Sequence, residues 1–151
     1  MKIKFRVWDK SEKKMKRVYS IGFNEQGEAI SIQDEFADNY EAYAMYDVND
    51  YELMQSTGLK DKNGTEIYEG DIVEVLVEDE EPKIMKDKTY IGIVVYKRGM
   101  FDIKNSKNTY LGIVPQMYMS DIDCVFEVLG NKYQNTELLE DKNLLSEEEI
   151  E

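Results

Sequence analysis

The sequence predicts a mainly β fold of the α+β class: an N-terminal antiparallel sheet with one short helix, then a small β-barrel of the SH3-like type. Short runs of residues alternate between apolar and polar, the period of a half-buried strand. Glycine, asparagine and aspartate separate these runs at close intervals, as tight reversals between strands require. A single stretch places its aromatic residues at helical spacing instead.

The elements follow in order. Lys2-Ile3-Lys4-Phe5-Arg6-Val7-Trp8 alternates strictly, so Ile3, Phe5 and Val7 are expected inward and Lys2, Lys4, Arg6 and Trp8 outward. Residues 9–14 read as a turn and 15–21 as the returning strand. Asn24-Glu25-Gln26-Gly27 is a second turn, and 29–33 a further strand. Phe36, Tyr40 and Tyr43 then recur at i, i+4 and i+7, one face of a helix over about residues 35–44, with Asp34 and Glu35 well placed at its start. Residues 45–53 look extended.

The stretch LMQSTGLKDKNGTEIYEGDIVEV, residues 53–75, is dense in turn formers. Asn63-Gly64 suits a hairpin reversal, and Gly70 relieves backbone strain just ahead of a strand with Val73, Val75 and Val77 on one face. Residues 90–96 are apolar on both faces, which marks a central strand, and Arg98-Gly99 turns the chain into a partner strand. Residues 122–128 alternate again, with Cys124 on the apolar side. These strands compose the expected barrel over roughly residues 59–131. Three divisions result: 1–55 as the sheet and helix, 56–135 as the barrel, and 136–151 as a short helix and acidic tail.

Composition restricts the chemistry. The 151 residues carry a net charge of −13, with 32 acids against 19 bases. The first 17 residues run the other way, with eight bases against Asp9 and Glu12, a local +6 in front of −19 for the remainder. Such a chain repels polyanions over most of its surface, which argues against broad nucleic-acid binding. No apolar run reaches the ~20 residues of a membrane span, and the charged start does not read as a signal peptide. A single cysteine fits a reducing compartment, so a cytoplasmic location is expected.

Histidine is absent, which removes Ser-His-Asp and Cys-His nucleophile systems and histidine metal sites. Cys124 has no partner base in the sequence and reads as core. Asp61-Lys62-Asn63-Gly64-Thr65-Glu66 resembles half of a calcium loop but lacks its alternating acids and final glutamate; a hairpin turn explains it better. No glycine-rich phosphate loop occurs. Catalytic, cofactor-binding and metal-binding residues are therefore expected to be none.

Two segments remain as candidate interaction surfaces. The basic one holds Trp8, Lys13, Lys14, Lys16 and Arg17, where cations beside an aromatic could hold phosphate and stack on a base; equally, the lysines could guard an edge strand or neutralise the chain's own acids. The acidic one holds Phe36, Tyr40, Tyr43, Tyr46, Asp47 and Asp50, within a stretch from Asp34 to Glu52 that has seven carboxylates and no base. Its aromatics suit a protein interface or an imitation of nucleic-acid phosphates; equally, they could fill a core. The opposite charges suggest that the two segments meet, within one subunit or between copies.

The segments KFRVWDKSEKKM (4–15), residues 53–75, the 92–101 hairpin and FEVLGNKYQNTELLE (126–140) together resemble the YopX family of bacteriophage and prophage proteins. The resemblance implies a phage or prophage origin in a bacterium, a mainly β fold, no assigned activity and no catalytic residues. Asp61, Asn63, Gly64, Gly70 and Asp71 are motif positions whose types suit turns. The expected function is a non-enzymatic accessory protein that binds another protein, of phage or host, and can form a homo-oligomer. The alternatives are an acidic decoy for a host DNA-binding protein and weak nucleic-acid contact through the N-terminal hairpin.

Overall fold

The computed structural model describes residues 3–34, 46–79, 88–106, 109–111 and 122–141. The chain divides into two compact units, Met1–Ser56 and Thr57–Glu151. Both are built from antiparallel strands, as the alternation requires, so the mainly β class holds. The expected helix over residues 35–44 lies outside the described residues.

In the first unit β1 (Phe5–Asp9), β2 (Lys14–Phe23), β3 (Ala29–Asp34), β4 (Tyr46–Asp47) and β5 (Tyr51–Lys60) pair in the order β4-β3-β2-β1-β5. A 3-10 turn, Val48–Asp50, separates β4 from β5. Asp9 forms the β1–β2 turn: its Oδ1 accepts from the N–H of Ser11 at 3.0 Å and of Glu12 at 3.1 Å. Lys13 completes the reversal in the left-handed region, φ 55°. The register sets Val7 opposite both Lys16 and Leu53. Val7, Ile32 and Tyr51 form the core, with Val18, Ile21, Val48 and Leu53 packed against it.

In the second unit β6 (Glu66–Tyr68) hydrogen-bonds to the part of β5 that begins at Thr57. The strands β7 (Asp71–Asp79), β8 (Lys88–Lys97), β9 (Met100–Ser106), β10 (Thr109–Tyr110) and β11 (Ile122–Asn131) pair in the order β10-β9-β8-β7-β11. The helix α1 (Thr136–Asp141) follows. No closed barrel of the kind expected over 59–131 is found among the described residues, whose pairings give an open sheet with β10 and β11 at its edges. Barrel closure depends on which distant strands pair, and local alternation does not carry that information.

Both faces of this sheet are apolar, which explains the two-sided character of β8. On one face Val73, Val75, Val94, Ile103 and Phe126 pack with Ile67 of β6, and Leu59 and Cys124 join them. On the other, Ile72 and Ile93 pack with Leu139 of α1. Gly92 allows β8 and β9 to approach: a Cβ there would stand 2.5 Å from Ile103 Cγ2 and 2.8 Å from the Lys104 carbonyl oxygen.

Candidate functional site

The first unit gathers its charges on the inward side of the sheet. Lys16 is only 4% exposed, and its Nζ lies 2.9 Å from Asp9 Oδ2 and 3.3 Å from Asp34 Oδ2, with Glu12 as a third carboxylate partner. The Tyr51 hydroxyl donates to Asp34 Oδ2 at 2.8 Å. Burial alone would raise the Asp9 carboxyl, but the Lys16 ammonium and the backbone N–H of Glu12 outweigh it and hold Asp9 below the ordinary range. Burial would likewise lower Lys16; its hydrogen bonds to Glu12 and Asp9 and the Asp34 charge reverse this and push it upward. Burial first, then the bond to Asp34, raises the Tyr51 phenol. The cluster is therefore a charged tie between β1, β2, β3 and β5.

Of the two uses weighed for the basic segment, Lys16 takes the neutralisation of the chain's own acids. On β2 the positions alternate, and Lys16 opposite the buried Val7 belongs to the inward set. Asp9, seven residues earlier and across a tight turn, was the available signal. Trp8 is half-buried, and its register sets it opposite Met15 and Glu52. Lys13, Lys14 and Arg17 are exposed.

Of the acidic candidates, Phe36, Tyr40 and Tyr43 lie outside the described residues. Tyr46 contributes backbone pairing to Ile32 in β4. Asp47 caps the 3-10 turn, accepting from the Asn49 N–H at 2.8 Å, and the Asp50 carbonyl accepts from the Lys10 N–H at 3.1 Å. Lys10 Nζ also reaches Glu52 at 3.4 Å and the Asn49 carbonyl at 3.0 Å. Basic hairpin and acidic stretch thus meet within one chain at Lys16–Asp34 and Lys10–Glu52.

The second unit shows what the 61–71 residues do. Asp61 Oδ1 accepts from the N–H groups of Asn63 and Thr65, each at 2.9 Å, while Oδ2 accepts from the N–H of Val128 on β11 at 2.9 Å. The bond from Val128, ahead of those from Thr65 and Asn63, holds this carboxyl below its ordinary value against the opposing effect of burial. Lys62 adds a backbone bond to the Phe126 carbonyl at 2.9 Å and an ion pair with Glu127 at 3.0 Å. Gly64 turns the hairpin at φ 82°. Asp71 Oδ2 accepts from the Tyr68 N–H at 2.8 Å and closes the turn before β7. Asp61 thus fastens the β5–β6 hairpin to the edge strand β11, which is a structural use of a carboxylate that sequence alone could mistake for a cation ligand.

Several large apolar side chains are exposed as well. At the free end of the β2–β3 hairpin, Phe23 is 61% and Ile30 49% exposed, and Tyr19 on the same strand is 62% exposed. The register there slips by one residue between Gly22 and Phe23, which places Ile30 as the extra residue beside Phe23. Sequence reasoning stopped β2 at Ile21 and missed these side chains; the apolar residues flanking the 24–27 turn were the signal.

The family described as YopX protein matches residues 4–140. The chain belongs to the YopX family. A solved structure, protein EF1440 from Enterococcus faecalis, is 31% identical to this YopX-family chain; the match covers 92% of it and 99% of the Enterococcus chain, with a TM-score of 0.59. No curated protein matches the chain. Among the described residues no helix is long and apolar enough to cross a membrane.

Proposed function

We propose that this YopX-family chain is a non-enzymatic accessory protein of phage or prophage that acts in the bacterial cytoplasm by binding another protein. The observation that carries the reading is the exposed pair Phe23 and Ile30 at the β2–β3 tip. Two large apolar side chains held side by side on a rigid hairpin form the kind of anchor that fills a partner's pocket on desolvation. The titratable groups of the two units support the same reading, because Asp9, Lys16, Asp34 and Asp61 are all engaged in holding strands and turns.

Capture from host lysate tests it, with the wild-type chain and a Phe23→Ser/Ile30→Ser variant as paired baits. A specific partner retained by the wild type and lost from the folded variant is expected. An identical set of retained proteins on both baits would overturn the assignment to this hairpin. Light scattering on the same pair covers the case where the partner is a second copy, because the variant would then fall to the mass of one chain.

A further inference from the structure

A recess of 200 Å³ in the second unit, remote in sequence from the β2–β3 hairpin, is lined by Lys97, Arg98, Met100, Asp102 and Tyr110. Its walls follow from the register. Lys97 faces Met100, Val95 faces Asp102, Ile93 faces Lys104, and Lys104 faces Tyr110. Directly opposed residues share a face, so Lys97, Met100, Asp102, Lys104 and Tyr110 stand on one side of the sheet. Arg98 and Gly99 form the hairpin turn in the left-handed region, φ 56° and 79°, which projects the guanidinium from a rigid two-residue loop.

The recess lining is cationic in balance, with Lys97 and Arg98 against the carboxylate of Asp102. Among the described residues no carboxylate pairs with Lys97 or Arg98. Lys104, two residues further along β9 from Asp102, is 3% exposed and does not line the recess. The Asp102 carboxylate has Oδ1 engaged by the N–H of Ile103 at 2.7 Å. Lys97 is already positioned: its Nζ donates to the Tyr110 hydroxyl at 3.0 Å and lies 4.6 Å from that ring's centroid. A cation ordered in advance loses little freedom on meeting an anion. In a chain of net charge −13, long-range attraction does not assemble such a site; it must act at short range.

We propose that this recess binds the phosphate of a small monoester, with Arg98 and Lys97 gripping the oxygens, and Met100 and Tyr110 forming the wall for the attached group. A phosphate of about −2 charge with three acceptor oxygens can engage the Arg98 guanidinium and the Lys97 ammonium together more fully than a carboxylate with one charge and two oxygens. The volume lies below the ~300 Å³ at which pockets begin to enclose drug-sized ligands, so the site takes the phosphate end and its neighbouring group.

Titration of the isotope-labelled full chain with AMP, followed by amide shifts in NMR spectra, tests the proposal. Saturable shifts are expected at Lys97 to Asp102 and at Tyr110, with inorganic phosphate acting at the same amides. Arg98→Asn, which tolerates the left-handed turn, and Lys97→Gln should each weaken AMP at least tenfold. Lys13→Gln, at an exposed turn cation of the first unit, should leave it unchanged. Absence of saturation, equal shifts from adenosine or from acetate at matched ionic strength, or affinity undiminished in both recess variants would overturn it.

Discussion

Lys16 shows how much can depend on one side chain. Its ammonium neutralises Asp9 and Asp34 where water is excluded, so replacing it leaves two buried carboxylates facing each other. Lys16→Met should destabilise the protein by about 3–5 kcal/mol, the usual cost of breaking a buried ion pair from one side, against a typical total of about 5–15 kcal/mol. Tyr51→Phe removes one hydrogen bond to a charged acceptor and should cost about 1.5–3 kcal/mol. Urea unfolding of the two variants measures both. The same cluster sets a pH window. The stability that Asp9 contributes is present above its ordinary value of 3.8 and is lost as pH falls through its lower folded value. The contributions of Lys16 and Tyr51 are complete below their ordinary values of 10.5 and 10.0 and fade as pH rises through their raised folded values. Midpoints of urea unfolding should therefore form a plateau from about pH 4 to pH 10. In Lys16→Met the alkaline fall should shrink; an alkaline limb identical to wild type would contradict the role given to this lysine.

At the scale of elements, strands were the most legible feature and their pairings the least. The alternation in residues 2–8 and 122–128 located β1 and β11 because one buried face imposes a period of two. The double-sided apolar run of β8 correctly marked a central strand, since β6 and α1 cover opposite faces of its sheet. Barrel closure was not legible, because it depends on contacts between strands far apart in sequence. Gly92 was equally opaque: nothing near it in sequence announces that Ile103 and the Lys104 carbonyl press against its α-carbon. Gly92→Ala should cost about 1–3 kcal/mol, as overpacking of a filled interior does. Its effect belongs to β8 and β9, so hydrogen exchange should quicken there before it does in β1 and β2. Uniform quickening across both units, or no loss of stability, would be inconsistent with this packing.

Across the whole molecule, the candidate site was legible in part. Charge segregation along the chain foretold that basic hairpin and acidic stretch would meet, and Lys10–Glu52 and Lys16–Asp34 join them within one chain. The face that Lys16 occupies was not legible from that segregation, because net charge carries no information about which face of a strand a residue occupies. Phe23 and Ile30 were missed for a related reason: an apolar residue at a strand end looks like core until the neighbouring elements are known to stop short of it. The family's dense polar motif, in contrast, resolved as turns and ties. Asp61 concentrates that claim, since its two oxygens receive three backbone N–H groups and link the β5–β6 hairpin to β11. In Asp61→Asn one oxygen becomes an amide donor, so either the turn or the bond from Val128 must be lost. Equilibrium urea unfolding of this variant is the most direct test. A midpoint clearly below wild type with an unchanged slope is predicted; an unfolding curve that superimposes on wild type would contradict the structural role of the motif.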